Sequence, residues 1–167
     1  MMGSLQLNAN MVIGKSAVID VDGKPQTKGS AKAIQRPGLP YPVIINDNKR
    51  CKGWQKDVGL IAKTKWPGKP TDNLVALVVT FYMARPKHHR RVNGELKPKA
   101  PRHHVVRPDS DKMLRAILDS LTGIVYYDDS QVNAYGSKVY ADEWGVRIFA
   151  AEVIGDAPCL LEFEVTP

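Results

Sequence analysis

Short runs of apolar, β-branched residues recur along the chain and predict several β-strands. The clearest lies at residues 74–83, where Leu77, Val79, Phe81 and Met83 share one face. The other predicted strands are residues 11–13, 17–21, 41–45, 132–140, 146–154 and 159–165. We expect residues 132–140 and 146–154 to form a hairpin around residues 141–145.

Two segments show the helical period instead. The first has an apolar face between Trp54 and Ala62, with Asp47 as a candidate cap. The second spans residues 111–122, carries acids in its first turn and is followed by Gly123, a typical residue for the position after a helix end. The order β, α, β, α and then three strands predicts one α+β domain over residues 1–167. Its sheet is expected to be mainly antiparallel, with about four to five strands and two main helices.

The charge is concentrated in one segment. The chain has 167 residues and a formal net charge of +7. Residues 84–107 hold eight Lys and Arg against a single acid, Glu95, and all four histidines, so the rest of the chain is formally neutral. Two interpretations stay open for this basic loop: a mobile, solvated loop, or an arm that binds a polyphosphate such as DNA in a salt-dependent way.

Several classes of protein are disfavoured. No apolar run approaches the roughly 20 residues that cross a bilayer, and the first residues lack the features of a signal peptide. The two cysteines, Cys51 and Cys159, show neither CxxC nor zinc-ligand spacing. The paired histidines at 88–89 and 103–104 have no accompanying Cys or acid pair, which disfavours a structural metal site. We therefore expect a cytoplasmic protein with no membrane partner.

Two acidic patches flank the second predicted helix. Asp109 and Asp111 precede it, and Asp128 and Asp129 follow it. If the helix returns the chain so that both patches meet, carboxylates beside a basic loop would suit Mg²⁺, which prefers oxygen ligands. The simpler interpretation is that the first pair caps the helix and the second forms a turn before a strand.

At these residues the chain resembles the RusA-type Holliday junction resolvases. Their pattern runs P-D-x-D-N-L-x-K, a helix with an internal acid, and D-D-x-Q-V. Here residues 108–115 read P-D-S-D-K-M-L-R and residues 128–132 read D-D-S-Q-V. A weaker likeness to an early G-x-P-x-x-K segment lies at residues 23–28. The strand order agrees from residue 17 to the C-terminus.

The resemblance implies a homodimeric, Mg²⁺-dependent endodeoxyribonuclease, with Mn²⁺ as a substitute, that acts in DNA recombination and repair. Such enzymes cut four-way DNA junctions by paired symmetric nicks. The positions that match the metal-binding acids are Asp109, Asp111 and Asp129, while Asp128 is expected to cap or support. Arg115 stands at the family's catalytic lysine.

Other positions receive supporting roles. Asp119, the acid within the helix, is expected to pair with Arg115 four residues earlier. Candidate DNA-binding residues are Lys28, Lys32, Arg90, Arg91, Arg107 and Lys112. Lys112 replaces the family's asparagine, and this departure, with Arg115, leaves two alternatives open. One is a module of the same fold that binds branched DNA without cutting, and the other is a structure-selective nuclease of broader specificity.

Overall fold

A computed structural model describes residues 12–29, 31–46 and 48–155. The predicted strand at 159–165 and the candidate cap Asp47 lie outside these residues. The elements in chain order are β1 (Val12–Asp22), β2 (Ala31–Ile34), β3 (Val43–Asn46), α1 (Cys51–Lys65), β4 (Leu74–Ala84), α2 (Ser110–Leu121), β5 (Val132–Ala141) and β6 (Gly145–Ile154). No helix in the described ranges is long and apolar enough to cross a membrane.

The main sheet has four strands in the order β1-β6-β4-β5. Strands β1 and β4 both pair antiparallel with β6, whereas β4 and β5 are parallel. Strands β2 and β3 form a separate antiparallel pair within the segment after β1. The predicted α+β fold, with a mainly antiparallel sheet and two main helices, is confirmed.

The predicted hairpin of the last two strands in the main sheet is wrong. Strand β4 lies between β5 and β6 and pairs with both. The short link at residues 142–144 crosses the end of β4, where the Arg85 N–H donates to the Ala141 carbonyl at 2.9 Å. The reason is hydrophobic burial: β4 has the most continuous apolar run of the chain, and a central strand is the position that buries it.

The core joins the sheet to the two helices. Leu77, Val79, Phe81 and Met83 of β4 are fully buried, as their shared face predicted. They belong to the same apolar cluster as the inward faces of α1 and α2. Gly123 follows α2 with φ of 76°, a left-handed conformation that favours glycine and ends the helix as expected.

The basic loop is packed along the outer edge of β5. His103 forms an antiparallel bridge to Val139, and the Tyr140 N–H donates to the Arg102 carbonyl at 3.0 Å. The His104 N–H donates to the Lys138 carbonyl at 3.3 Å. These bonds cover backbone groups that an edge strand would otherwise expose. The mobility of the loop in solution stays a prediction.

Candidate active site

The first acidic patch lies at the N-terminal end of α2. Asp109 is the N-cap residue, although its carboxylate makes no capping bond, and Asp111 lies in the first turn. Both side chains are exposed. The Lys112 Nζ lies 3.5 Å from Asp109 Oδ2. Within the described residues neither Asp111 nor Arg115 has an ion pair or a side-chain hydrogen bond, so both can engage a ligand.

A cleft of ≈ 480 Å³ opens beside Asp109, and its lining is Thr27, Arg107, Pro108, Asp109 and Lys112. One carboxylate therefore shares the cleft with two cationic side chains. Lys138 of β5 fixes the segment that leads into α2. Its ammonium donates to the Val106 and Pro108 carbonyls, both at 2.8 Å. This arrangement can bind a phosphate through the cations while the acid remains exposed.

The early segment at residues 23–28 docks against α2. The Lys28 N–H donates to the Lys112 carbonyl at 3.0 Å, and the Lys28 Nζ lies 2.7 Å from Asp119 Oδ2. The predicted Asp119–Arg115 pair is therefore wrong. The docked backbone carries the Lys28 ammonium to Asp119, and Gln55 Nε2 contacts the same carboxylate oxygen at 3.3 Å.

The second acidic patch is a tight turn before β5. Asp128 accepts a hydrogen bond from the Ser130 N–H at 2.9 Å, so its predicted capping role is confirmed. Gln131 Oε1 accepts from the N–H groups of Tyr127 and Asp128, both at 2.9 Å. These bonds use Asp128 to shape the turn. Asp129 is exposed, and no side-chain hydrogen bond or ion pair in the described part of the chain occupies it.

Gln131 also fastens this turn to the start of β4. Its Nε2 donates to the Thr71 carbonyl at 3.0 Å and to the Asn73 carbonyl at 3.2 Å. The side chains of Thr71 and Asn73 in turn donate to Oε1 of buried Glu152 on β6. Glu152 Oε2 accepts from the Lys15 N–H at 3.0 Å, within a bulge of β1. A buried carboxylate thus supports the acid turn through Thr71 and Asn73, the residues just before β4.

We expect Glu152 to make the fold sensitive to acid. Hydrogen bonds from the Lys15 N–H and the Thr71 hydroxyl lower the pKa of its carboxyl from 4.5 to about 2. A lowered pKa stabilises the fold above pH 4.5, and this contribution is lost as the pH falls towards 2. Glu152→Gln should lower the free energy of unfolding at neutral pH by roughly 1–3 kcal/mol and flatten its decline in acid.

The measurement is urea unfolding of both proteins at a series of pH values. Glu143→Gln is the matched control, since Glu143 is exposed in the link between β5 and β6 and should leave the profile unchanged. Parallel profiles for the wild type and Glu152→Gln would contradict the assignment.

The two acidic patches lie at opposite ends of α2. The helix has 12 residues, which gives a length of about 18 Å. Lys138 holds the segment before Asp109 near the end of β5, whereas the turn with Asp129 directly precedes that strand at Val132. In agreement, no group of three or more His, Cys, Asp or Glu side chains within residues 12–29, 31–46 and 48–155 is placed to hold a metal ion. One chain does not bring Asp109, Asp111 and Asp129 together.

The structure gives several candidate DNA-binding residues partners within the chain. Arg90 pairs with Asp142 and donates to the Gly94 carbonyl at 2.8 Å. Arg91 Nη1 lies 3.8 Å from Glu95 Oε2. Lys28 pairs with Asp119, as described above. Lys32 belongs to β2, and its side chain lies outside the described part. Arg107 and Lys112 line the cleft beside Asp109.

Three residues that shape the site were not found from the sequence. Glu152 could have been identified from the sequence, because it is a lone acid inside the apolar strand β6. Gln131 was identified only as part of the D-D-x-Q-V pattern. Its structural role depends on hydrogen bonds to carbonyls 58 to 60 residues away in sequence. Lys138 could not be singled out from the sequence, since a lysine on a predicted strand is ordinary.

Comparison with known proteins identifies the family of the chain. The family model "Endodeoxyribonuclease RusA" matches residues 22–150, which is most of the chain and includes both acidic patches. The chain is also similar to the "Uncharacterized protein YqaN" of Bacillus subtilis (strain 168). The two are 28% identical over 136 residues, covering 80% of this chain and 94% of that protein. The chain therefore belongs to the RusA family of Holliday junction endodeoxyribonucleases.

Proposed function

We propose that this protein is a Mg²⁺-dependent endodeoxyribonuclease that resolves four-way DNA junctions by paired symmetric nicks. Mn²⁺ is a chemically suitable substitute. The observation that carries the proposal is the cleft in which Asp109 stands beside Arg107 and Lys112, in a chain of the RusA family. The proposal places the protein in the cytoplasm, where it would serve DNA recombination and repair.

The chemistry of the exposed acids fits a hard cation. Asp111 and Asp129 have no side-chain partners among the described residues, and Asp109 has only a 3.5 Å contact with Lys112. Mg²⁺ is held by one or two carboxylates and keeps several waters, so it does not require a preformed protein cage. Asp109, Asp111 and Asp129 would hold it. When bound, the ion activates a water and stabilises the leaving oxygen of a phosphodiester.

The remaining side chains position the DNA and its charge. Arg107 and Lys112 would bind a backbone phosphate in the cleft, and Asp128 and Gln131 would fix the turn that carries Asp129. Arg115 lies one helical turn beyond Asp111 and can neutralise charge that develops on the phosphate. Because its guanidinium keeps its proton, we assign it no proton transfer.

The separation of the acids within one chain supports a homodimer. Asp109 lies at the start of α2 and Asp129 beyond its end, and the helix between them is about 18 Å long, which is too far for one metal ion to bridge. A twofold dimer solves this if Asp109 and Asp111 of one subunit meet Asp129 of the partner subunit. Symmetry then creates two identical sites, one for each of the two strands that a resolvase cuts.

The test is a cleavage assay on a labelled four-way junction and on its separate linear arms, in Mg²⁺ and in EDTA. We expect symmetric nicks confined to the junction in Mg²⁺ and no product in EDTA. Equal rates on linear and four-way DNA would instead indicate a nuclease of broader specificity. Cutting that persists in EDTA would contradict the metal requirement.

A second candidate function is a junction-binding module that does not cut. It is favoured by one observation, that Lys112 and Arg115 stand where family members carry asparagine and the catalytic lysine. It predicts tight, salt-dependent binding of junction DNA and no product in any metal. In that outcome Arg115→Lys tests the cause, and recovered cutting would identify the arginine as the defect.

A further inference from the structure

A second basic surface lies on α1, away from the basic loop. Residues 49–69 contain seven Lys and Arg and a single acid, Asp57. The chain outside residues 84–107 is formally neutral as a whole, because acids elsewhere in the sequence balance the positive charge of this segment. Three of these cations are Lys52, Lys56 and Lys63, and all three side chains are exposed.

These lysines line a groove of ≈ 590 Å³ between α1 and α2. Its lining is Lys52, Gln55, Lys56, Gly59, Leu60, Lys63, Asp119, Ser120 and Ile124. Gly59 brings the two helices close at the groove floor, since a Cβ at this position would lie 3.2 Å from both the Ile124 side chain and the Ser120 carbonyl. The groove is therefore a fixed feature of the helix pair.

The three lysines form a stripe along the helix. At 3.6 residues per turn they fall within about 40° of one another and extend over about 16 Å of the helix axis. No acid in the described ranges forms an ion pair with any of them. Asp119, the acid within the groove, is already paired with Lys28 at 2.7 Å. The stripe is thus a line of uncompensated positive charge.

We propose that this groove binds the phosphate backbone of a duplex arm of the DNA. The assignment rests on the proposed function, because it takes branched DNA as the substrate. The groove and the candidate active site both involve α2, since Asp119 lines the groove and Asp111 lies in the first turn of the same helix. Asp119 is about 12 Å along α2 from Asp111. A duplex seated near the acids can therefore reach the stripe.

The test compares junction binding by the wild type, by the triple variant Lys52→Ala/Lys56→Ala/Lys63→Ala and by Lys65→Ala. Lys65 is the matched control, because it is an exposed lysine of the same helix that does not line the groove. Binding is measured in EDTA at several salt concentrations. We expect the plot of log affinity against log salt to be less steep by about 2.7 for the triple variant and unchanged for the control.

The same proteins are assayed for cutting in Mg²⁺, and thermal unfolding checks that each variant is folded. An unchanged salt slope in the triple variant, or an equal loss per lysine in Lys65→Ala, would overturn the groove assignment. If the wild type then still cuts junctions, the proposed function stands without it. A salt slope that falls in the triple variant, together with a wild type that does not cut, would support DNA binding by the groove and overturn the proposed nuclease activity. A wild type that binds no DNA would overturn both.

Discussion

Asp111→Asn is expected to abolish junction cutting while junction binding persists. Asp111 is exposed in the first turn of α2 and has no side-chain partner among the described residues, so the substitution should disturb the fold little. Loss of a carboxylate ligand weakens the hold on a cation that supplies several kcal/mol of charge stabilisation. At about 1.4 kcal/mol per tenfold, we expect cutting to slow by at least about a thousandfold.

The measurement is the single-turnover rate on a labelled four-way junction in Mg²⁺, with binding measured in parallel in EDTA. Asp57→Asn serves as the control, because it removes an exposed acid of α1 that does not line the α1–α2 groove. It should cut at the wild-type rate. Cutting by Asp111→Asn within a few-fold of the wild-type rate would remove this residue from the site.

A mixture of two inactive variants is expected to recover activity. Asp111→Asn and Asp129→Asn should each be inactive as homodimers, because every site then lacks one acid. In a mixed dimer, one site combines both defects and the other combines intact Asp109 and Asp111 with intact Asp129 of the partner subunit. That single site should nick one strand of the junction and leave the opposite strand uncut.

The variants are mixed, dissociated and reassociated, and the products are separated under native and denaturing conditions. A mixture of Asp111→Asn with Asp109→Asn is the control, since those two defects leave no intact site in either arrangement. Nicks from the first mixture alone would support sites shared between subunits. Inactivity of both mixtures, together with an active wild type treated in the same way, would contradict the shared site.

Local features of the fold were predictable because they depend on neighbours in sequence. The alternation of Leu77, Val79, Phe81 and Met83 identified β4, and Gly123 identified the end of α2. The order of the sheet was not predictable in this way. The short link between β5 and β6 resembles a hairpin turn, and those strands are separated because apolar β4 takes the position between them, with a strand on each side.

Some features of the candidate site could likewise be predicted from the sequence, and others could not. The two acidic patches were found from the sequence, and the capping role of Asp128 followed from the family resemblance. The partner of Asp119 was not, because Arg115 satisfied the local rule for ion pairs on a helix while Lys28 reaches the carboxylate from a loop 91 residues earlier. Spacing also suggested that the helix returns the two acidic patches to one place. Instead the full length of α2 separates them.

The length of α2 has a consequence for the distance between the two proposed cutting sites. In the proposed dimer each subunit contributes Asp111 to one site and Asp129 to the other, so the helix that joins these residues sets the gap between the two cuts. Twelve helical residues correspond to about 18 Å. Adding or removing a turn would shift one site relative to the other by about 5.4 Å. If this dimer forms, the distance between the two proposed nicks across a junction depends on the number of residues in this one helix.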